Sequence, residues 1–94
     1  MSEPFDAVTC WLCRRPLGSR REFHHPVPKS RKGRDVVPVH PICHRTIHAN
    51  FTNAELSRIG CDAAVLRGNP AVARFLDWIA DKPLDFHART ARRR

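Results

Sequence analysis

Five of the six histidines in this 94-residue chain lie in one segment, between Phe23 and His48, and a cysteine directly precedes one of them. Thiolate and imidazole groups are the side chains best suited to transition metals. Imidazole can also carry protons near neutral pH. Metal binding and acid–base catalysis are therefore the first chemistries to consider for this segment.

Two short motifs of equal internal spacing predict a structural zinc site. A C-x-x-C pair near the start of the chain is followed some two dozen residues later by an H-x-x-C pair. Such paired thiolate and imidazole ligands are typical of closed tetrahedral zinc sites. The predicted ligands are Cys10, Cys13, His40 and Cys43. Cys61 competes with His40 for the fourth position. A redox-active C-x-x-C is the alternative, but that motif usually opens a helix, which Pro16 and Gly18 disfavour.

The remaining histidines of the segment predict an open site for a second, divalent ion. His44 and His48 are four residues apart on a predicted helix, so they share one face. His24 and His25 are adjacent on a predicted strand and point to opposite sides. One of the two can therefore bind the ion while the other faces elsewhere as a base. A three-ligand site of this kind suits metal-assisted hydrolysis of a phosphodiester.

The charge of the chain predicts a nucleic-acid partner. Lys and Arg number 17 and Asp and Glu number 9, which gives a formal net charge of +8. The basic residues concentrate in three runs, at 14–21, 29–34 and 89–94. Runs with so little acidic compensation favour contacts with phosphate over a merely solvated surface.

A chain of this length buries too little apolar area to be stable without an additional constraint. Its first residues lack the features of a secretory signal, and no apolar run approaches the length of a membrane span. A cytoplasmic location without membrane contact is therefore expected. Thiols stay reduced there, which favours metal binding over disulfides as the constraint.

The predicted elements form a short ribbon followed by helices. Strands are predicted over residues 22–25 and 35–39, with a basic loop over 29–34 between them. A helix is predicted from Cys43 to His48, where no breaker occurs. The ribbon is not stable by itself in water, so it needs the predicted zinc ligands to hold it.

Further short helices are predicted downstream. Thr52-Asn53-Ala54-Glu55 fits a capping box for a helix that ends near Gly60. Residues 63–66 suggest a second short helix. Asn69-Pro70 opens a third, in which Phe75 and Trp78 are predicted core residues. Residues 85–94 lack apolar periodicity and are predicted to form a flexible or loosely docked arm.

The segment from Cys10 to His48 resembles the HNH endonuclease family, whose ββα-metal finger is often carried on a zinc frame of paired C-x-x-C motifs. Two stretches carry the resemblance: His24-His25-Pro26-Val27-Pro28 and Cys43-His44-Arg45-Thr46-Ile47-His48. It covers roughly the first half of the chain. This sequence departs from the family at His40, where the frame usually has Cys, and at Asp35, which takes the position of the central Asn.

The resemblance implies a role for each residue of the motif. His25 would be the general base, His24 and His44 would be metal ligands, and His48 would be a third ligand or a phosphate contact. Asp35 would hold the loop between the strands and so aim the base. The implied nucleic-acid contacts are Lys29, Arg31, Lys32, Arg34 and Arg45.

The expected fold class is small α+β, with a zinc-stapled ββα-metal (His-Me finger) core followed by two or three short helices and a basic C-terminal arm. One nuclease domain would span residues 1–94, with the core over 9–50, a helical extension over 52–83 and a basic tail over 84–94. The expected function is metal-dependent hydrolysis of DNA, with RNA a less favoured substrate. The cofactors would be structural Zn²⁺ and a catalytic Mg²⁺, Mn²⁺, Ni²⁺ or Zn²⁺.

Two alternatives to a self-sufficient nuclease are compatible with the same residues. The first is a zinc-dependent nucleic-acid-binding protein without catalysis, in which the histidines are structural. The second is a subunit of a phage or restriction complex that cleaves only when assembled.

Overall fold

The computed structural model describes residues 9–27, 36–83 and 86, and it has the predicted small α+β architecture. Within these described residues, two strands and four helices follow one another. The elements are β1 (Glu22–His24), β2 (Val37–Val39), α1 (Pro41–Asn50), α2 (Asn53–Ile59), α3 (Ala63–Arg67) and α4 (Pro70–Ile79). The predicted basic loop and Asp35 lie outside the described residues, as does most of the predicted tail.

The two strands pair as an antiparallel ribbon, in which Glu22 lies opposite Val39 and His24 lies opposite Val37. Residues two apart on a strand point to the same face. Glu22 and His24 therefore share one face of the ribbon, and His24 is fully buried there. Phe23 points to the other face and is 55% exposed. The ribbon thus has one face turned towards the protein interior and one towards solvent.

Helix α1 begins two residues earlier than predicted, because Pro41 occupies its first position. The fixed φ of proline suits that position, where no backbone donor is needed. The buried residues of α1 are Ile42, Cys43, Thr46 and Ile47. His44 and His48 lie one residue further along, so they line the edge of the buried face that adjoins the ribbon.

The predicted capping box at the start of α2 is confirmed. The Glu55 backbone N–H donates to Thr52 Oγ1 at 3.1 Å, and the Thr52 N–H donates to Glu55 Oε1 at 2.7 Å. Helix α2 ends at Ile59 and is capped by Gly60, whose φ of +66° is a conformation that favours glycine. At the start of α4, Asn69 Oδ1 accepts hydrogen bonds from two backbone N–H groups. Local sequence signals therefore set these helix boundaries.

We expect Thr52→Ala to lower the free energy of unfolding by about 1 kcal/mol, because it removes the acceptor for one orphan donor of α2. Asn53→Ala is the matched control, since Asn53 is exposed at the next position. It should change the stability by less than about 0.5 kcal/mol. Urea unfolding of the metal-loaded protein measures both, and equal stability of the two variants would contradict the role of the cap.

A single hydrophobic core joins the cysteine-rich segment to the helices. Its buried members are Cys10, Leu12, Leu17, Val39, Ile42, Cys43, Ile47, Leu56, Leu66, Val72 and Ile79. Phe75 packs against this core, as predicted. The prediction for Trp78 is wrong, because its side chain is 45% exposed. Val72 and Ile79 set the buried face of α4, and Trp78, next to Ile79, points away from it.

Trp78 instead belongs to a small aromatic group on the surface. Its ring centroid lies 6.2 Å from that of Phe75 and 5.4 Å from that of Phe86. Phe86 is thus one residue of the predicted tail that docks on the protein.

Among the described residues, no helix has the length and hydropathy needed to cross a membrane.

Candidate metal centres

The first candidate centre is formed by the predicted ligands Cys10, Cys13, His40 and Cys43, here called the CCHC cluster. One ligand atom from each of these side chains lies within 4.8 Å of all the others. A tetrahedral Zn²⁺ with bonds of about 2.3 Å to sulfur needs ligand atoms about 3.8 Å apart. The four side chains therefore fit a zinc ion with small movements. Cys61 is exposed and lies outside the cluster, so the fold brings His40 to the fourth position.

The hydrogen bonds of His40 leave one of its ring nitrogens available to a metal. Its Nε2 lies 2.9 Å from the carbonyl oxygen of Pro16, so that nitrogen carries the proton and donates. Its Nδ1 lies 3.3 Å from the sulfur of Cys13 and 3.8 Å from the sulfur of Cys43. A backbone carbonyl that fixes the tautomer in this way is usual for histidine ligands of zinc.

The electrostatics of the CCHC cluster favour a bound cation. Hydrogen bonds from the Cys13 and Cys43 thiols lower the pKa of Cys10. The pKa of Cys43 is raised by its hydrogen bonds to Cys10 and Cys13 and by burial. Chiefly through its hydrogen bond with Cys10, the pKa of His40 is raised to about 10. The lowered pKa of Cys10 favours an anionic sulfur in the cluster, and a divalent metal supplies the positive charge that such a sulfur attracts.

The C-x-x-C turn is held by backbone hydrogen bonds and by a distant arginine. The backbone N–H of Cys13 donates to the sulfur of Cys10 at 3.5 Å. Arg14 follows with a φ of +65° and donates its N–H to the Cys10 carbonyl. From α3, the Arg67 guanidinium donates to the carbonyls of Trp11 and Leu12, at 3.2 and 3.1 Å. Sequence reasoning missed Arg67, because it lies far along the chain from the turn.

The second candidate centre is formed by His24, His44 and His48, here called the histidine cluster. One nitrogen from each ring lies within 4.8 Å of the other two. The ring centroids are 4.9 to 5.3 Å apart, with the rings steeply inclined to one another. His24 is buried, His44 is half-buried and His48 is exposed. The cluster therefore opens to solvent on the side of His48, where water or a phosphate group could approach.

His24 is the residue of the histidine cluster whose buried ring nitrogens are not satisfied by hydrogen bonds to the described residues. Its side chain is fully buried, and neither ring nitrogen has a hydrogen-bond partner among the described residues. Burial, together with the charges of His44 and His48, lowers its pKa to about 4. Burial also lowers the pKa of His48. Neutral imidazoles with free lone pairs are what a divalent ion requires, so these residues fit a metal.

Glu22 forms a hydrogen bond with His44 of the histidine cluster, and sequence reasoning missed this residue. Its Oε1 lies 2.9 Å from Nδ1 of His44. With Nδ1–H donating to this carboxylate, Nε2 of His44 keeps the lone pair that a metal would take. The available signal was the position of Glu22, two residues before His24 and hence on the same face of β1.

We expect Glu22→Ala to weaken nickel binding at the histidine cluster about tenfold, because the carboxylate orients His44 and makes it more basic. Asp81→Asn is the control, since this exposed carboxylate lies beyond the end of α4. Calorimetric titration of the tag-free protein with Ni²⁺ measures both affinities. An unchanged affinity in Glu22→Ala would show that the carboxylate does not tune the ligand.

The other predicted site residues are placed as follows. His25 immediately follows β1 and is half-buried. Arg45 lies exposed on α1, beside His44. Asp35 and the loop residues Lys29, Arg31, Lys32 and Arg34 lie outside the described residues.

The fold and its two clusters define a small α+β protein with two candidate metal centres, each of which takes at least one ligand from α1. Neither a family model nor a solved structure matches the chain. Over 80 residues it is 39% identical to Uncharacterized protein YisB of Bacillus subtilis (strain 168), and the similarity covers 82% of this chain and 78% of YisB. The chain therefore belongs to the same family as YisB.

Proposed function

We propose that this protein is a metal-dependent endonuclease of the HNH type that hydrolyses phosphodiester bonds in DNA. The observation that supports the proposal is the convergence of His24, His44 and His48 beside a separate CCHC cluster. The buried His24 contributes two ring nitrogens without a partner among the described residues, and the exposed His48 leaves the cluster open to solvent. This arrangement suits an ion that must reach a substrate rather than one that only stabilises a fold.

The two centres would have different tasks. Zn²⁺ in the CCHC cluster would fasten the C-x-x-C turn to the start of α1. A divalent ion bound by the three histidines would stabilise negative charge on the phosphate and on the leaving oxygen. Imidazole ligands favour a transition metal there over Mg²⁺, which prefers oxygen.

The remaining residues would act on the water and on the substrate. His25 directly follows the ligand His24, so it would accept the proton of the attacking water from the neighbouring position. Glu22 would keep His44 oriented through the 2.9 Å contact. Arg45, exposed next to His44, would bind a backbone phosphate near the ion. The proposed role of Asp35 is to hold the loop that follows His25.

The charge of the chain supports nucleic acid as the substrate. The net charge of +8 attracts a polyanion. Arg20 and Arg21 are exposed immediately before β1, and Arg45 is exposed on α1. Positive groups thus lie just before β1 and on α1, next to the elements that carry the histidine cluster, where they would contact phosphates on either side of the cleaved bond.

The proposal is tested by nicking of supercoiled plasmid with the tag-free protein. We expect no nicking in EDTA and nicking when Mn²⁺ or Ni²⁺ replaces the chelator, with His48→Ala much less active in either metal. Gel-shift measurements on the same preparations report DNA binding separately. Tight DNA binding without cleavage in any metal would reject the nuclease and support the non-catalytic alternative. Cleavage that requires added cell lysate would instead assign the protein to a larger complex.

A further inference from the structure

Trp11 lies where the two candidate centres meet. It is placed between the ligands Cys10 and Cys13, in the turn that contributes half of the CCHC cluster. Its ring centroid lies 5.7 Å from that of His24, and the two rings are inclined by 36°. One residue of the first centre therefore packs directly against a ligand of the second.

The position of Trp11 depends on the C-x-x-C turn. Its backbone N–H donates to the carbonyl oxygen of Pro38 in β2 at 2.9 Å. Its own carbonyl accepts from Arg67, and its side chain packs against the hydrophobic core. An ion that holds Cys10 and Cys13 in one geometry would thereby hold the indole ring against His24.

His24 relies on such packing contacts for its orientation. Among the described residues, no hydrogen bond fixes either nitrogen of its ring. Within the described part of the chain, the aromatic rings against it are those of Trp11, His44 and His48. Of these, Trp11 is the one that is not itself a candidate ligand. Its ring can therefore orient His24 without competing for the ion.

We propose that Trp11 is a positioning residue for His24, and that through it an ion in the CCHC cluster strengthens ion binding by the histidine cluster. This inference rests on the histidine cluster being the ion site of the proposed function. Coupling of this kind is reciprocal, so an ion at the histidines must also stabilise the CCHC cluster. Zinc binding at the CCHC cluster would then increase the affinity of the histidine cluster for its ion.

Helix α1 offers a second connection, because Cys43 and His44 are neighbours on it and belong to different centres. That connection cannot be cut without removing a ligand. The contact between Trp11 and His24 can be removed while all the ligands of both centres remain, which makes it the part of the coupling that an experiment can isolate.

The test is calorimetric titration of Ni²⁺ into tag-free, full-length protein that already contains one Zn²⁺ per chain. Trp11→Leu should bind Ni²⁺ about tenfold more weakly than the natural protein, in line with other substitutions around metal ligands. Trp11→Phe keeps an aromatic ring and should lose less affinity. Trp78→Leu, which removes an exposed tryptophan elsewhere, should bind as the natural protein does.

A second measurement tests the reciprocal effect without altering Trp11. In a Cys61→Ser background that holds one Zn²⁺ per chain, bound Ni²⁺ should slow the modification of the three remaining thiols by a thiol reagent severalfold, because reciprocal coupling strengthens zinc binding and leaves those thiols free less often. It should not slow modification when His48→Ala is also present. Thiols that react equally fast with and without Ni²⁺ would overturn the coupling.

The results separate this inference from the proposed function. Equal Ni²⁺ affinities of Trp11→Leu and the natural protein, with zinc retained in both, would overturn the role of Trp11 and leave the histidine site in place. A natural protein that binds no Ni²⁺ would overturn the histidine site, and with it both proposals.

Discussion

Replacement of Cys43 by serine should leave the chain without a stable fold, whereas the same replacement at Cys61 should leave it folded. Cys43 is fully buried in the core and its sulfur belongs to the CCHC cluster, while Cys61 is exposed. A structural zinc ion contributes about 10–16 kcal/mol in small zinc domains. That is comparable to the total stability of a typical domain, about 5–15 kcal/mol.

Circular dichroism and zinc content, measured on the same samples, test this expectation. Cys43→Ser should lose helical signal and zinc together, and Cys61→Ser should keep one zinc ion per chain. His40→Ala should behave like Cys43→Ser. A folded, zinc-containing His40→Ala combined with loss of zinc in Cys61→Ser would mean that Cys61 supplies the fourth ligand.

Replacement of His25 by alanine should lower plasmid cleavage by about 10²- to 10⁴-fold, the usual contribution of a general base. Ni²⁺ affinity should stay unchanged, because His25 lies outside the histidine cluster. His24→Ala is the matched comparison, since it removes the adjacent imidazole. It should lower both cleavage and Ni²⁺ affinity, because it removes a ligand.

Single-turnover nicking at saturating Mn²⁺ measures the cleavage step for both variants, and calorimetry measures ion binding. Added imidazole should restore part of the activity of His25→Ala, because a free base can then accept the proton. Full activity of His25→Ala without imidazole would exclude His25 as the base. Loss of Ni²⁺ binding in His25→Ala would make it a ligand instead.

Short-range signals made much of the fold predictable. The capping box at Thr52 and the Asn69-Pro70 start of α4 depend on residues within one helical turn, so the sequence specifies them directly. The same holds for His44 and His48, whose spacing places them on one helix face. The predicted strands are slightly longer than β1 and β2, because the pairing that ends a strand is a contact between distant segments.

Contacts between distant segments account for what sequence reasoning missed. Nothing near Glu22 in the chain shows that His44 will face it, and nothing near Arg67 shows that the C-x-x-C turn lies within its reach. For the same reason, the sequence does not decide between His40 and Cys61 as the fourth ligand. The prediction that Trp78 is a core residue is wrong because Trp78 lies beside the buried face of α4. Its position fits the helical spacing of apolar residues, but its side chain points outward.

The shared core limits which segment of this protein can be transferred into a fusion protein. Leu66 and Ile79 are buried together with Leu12 of the C-x-x-C turn, and Arg67 secures that turn from α3. Arg15 reaches the other way and donates to the carbonyl of Lys82, beyond α4. The segment that contains the ligands of both clusters is therefore not an independently folding unit. A fusion that transplants residues 9–50 alone would carry every ligand of the two clusters but would lack α2, α3 and α4, which contribute to the same core.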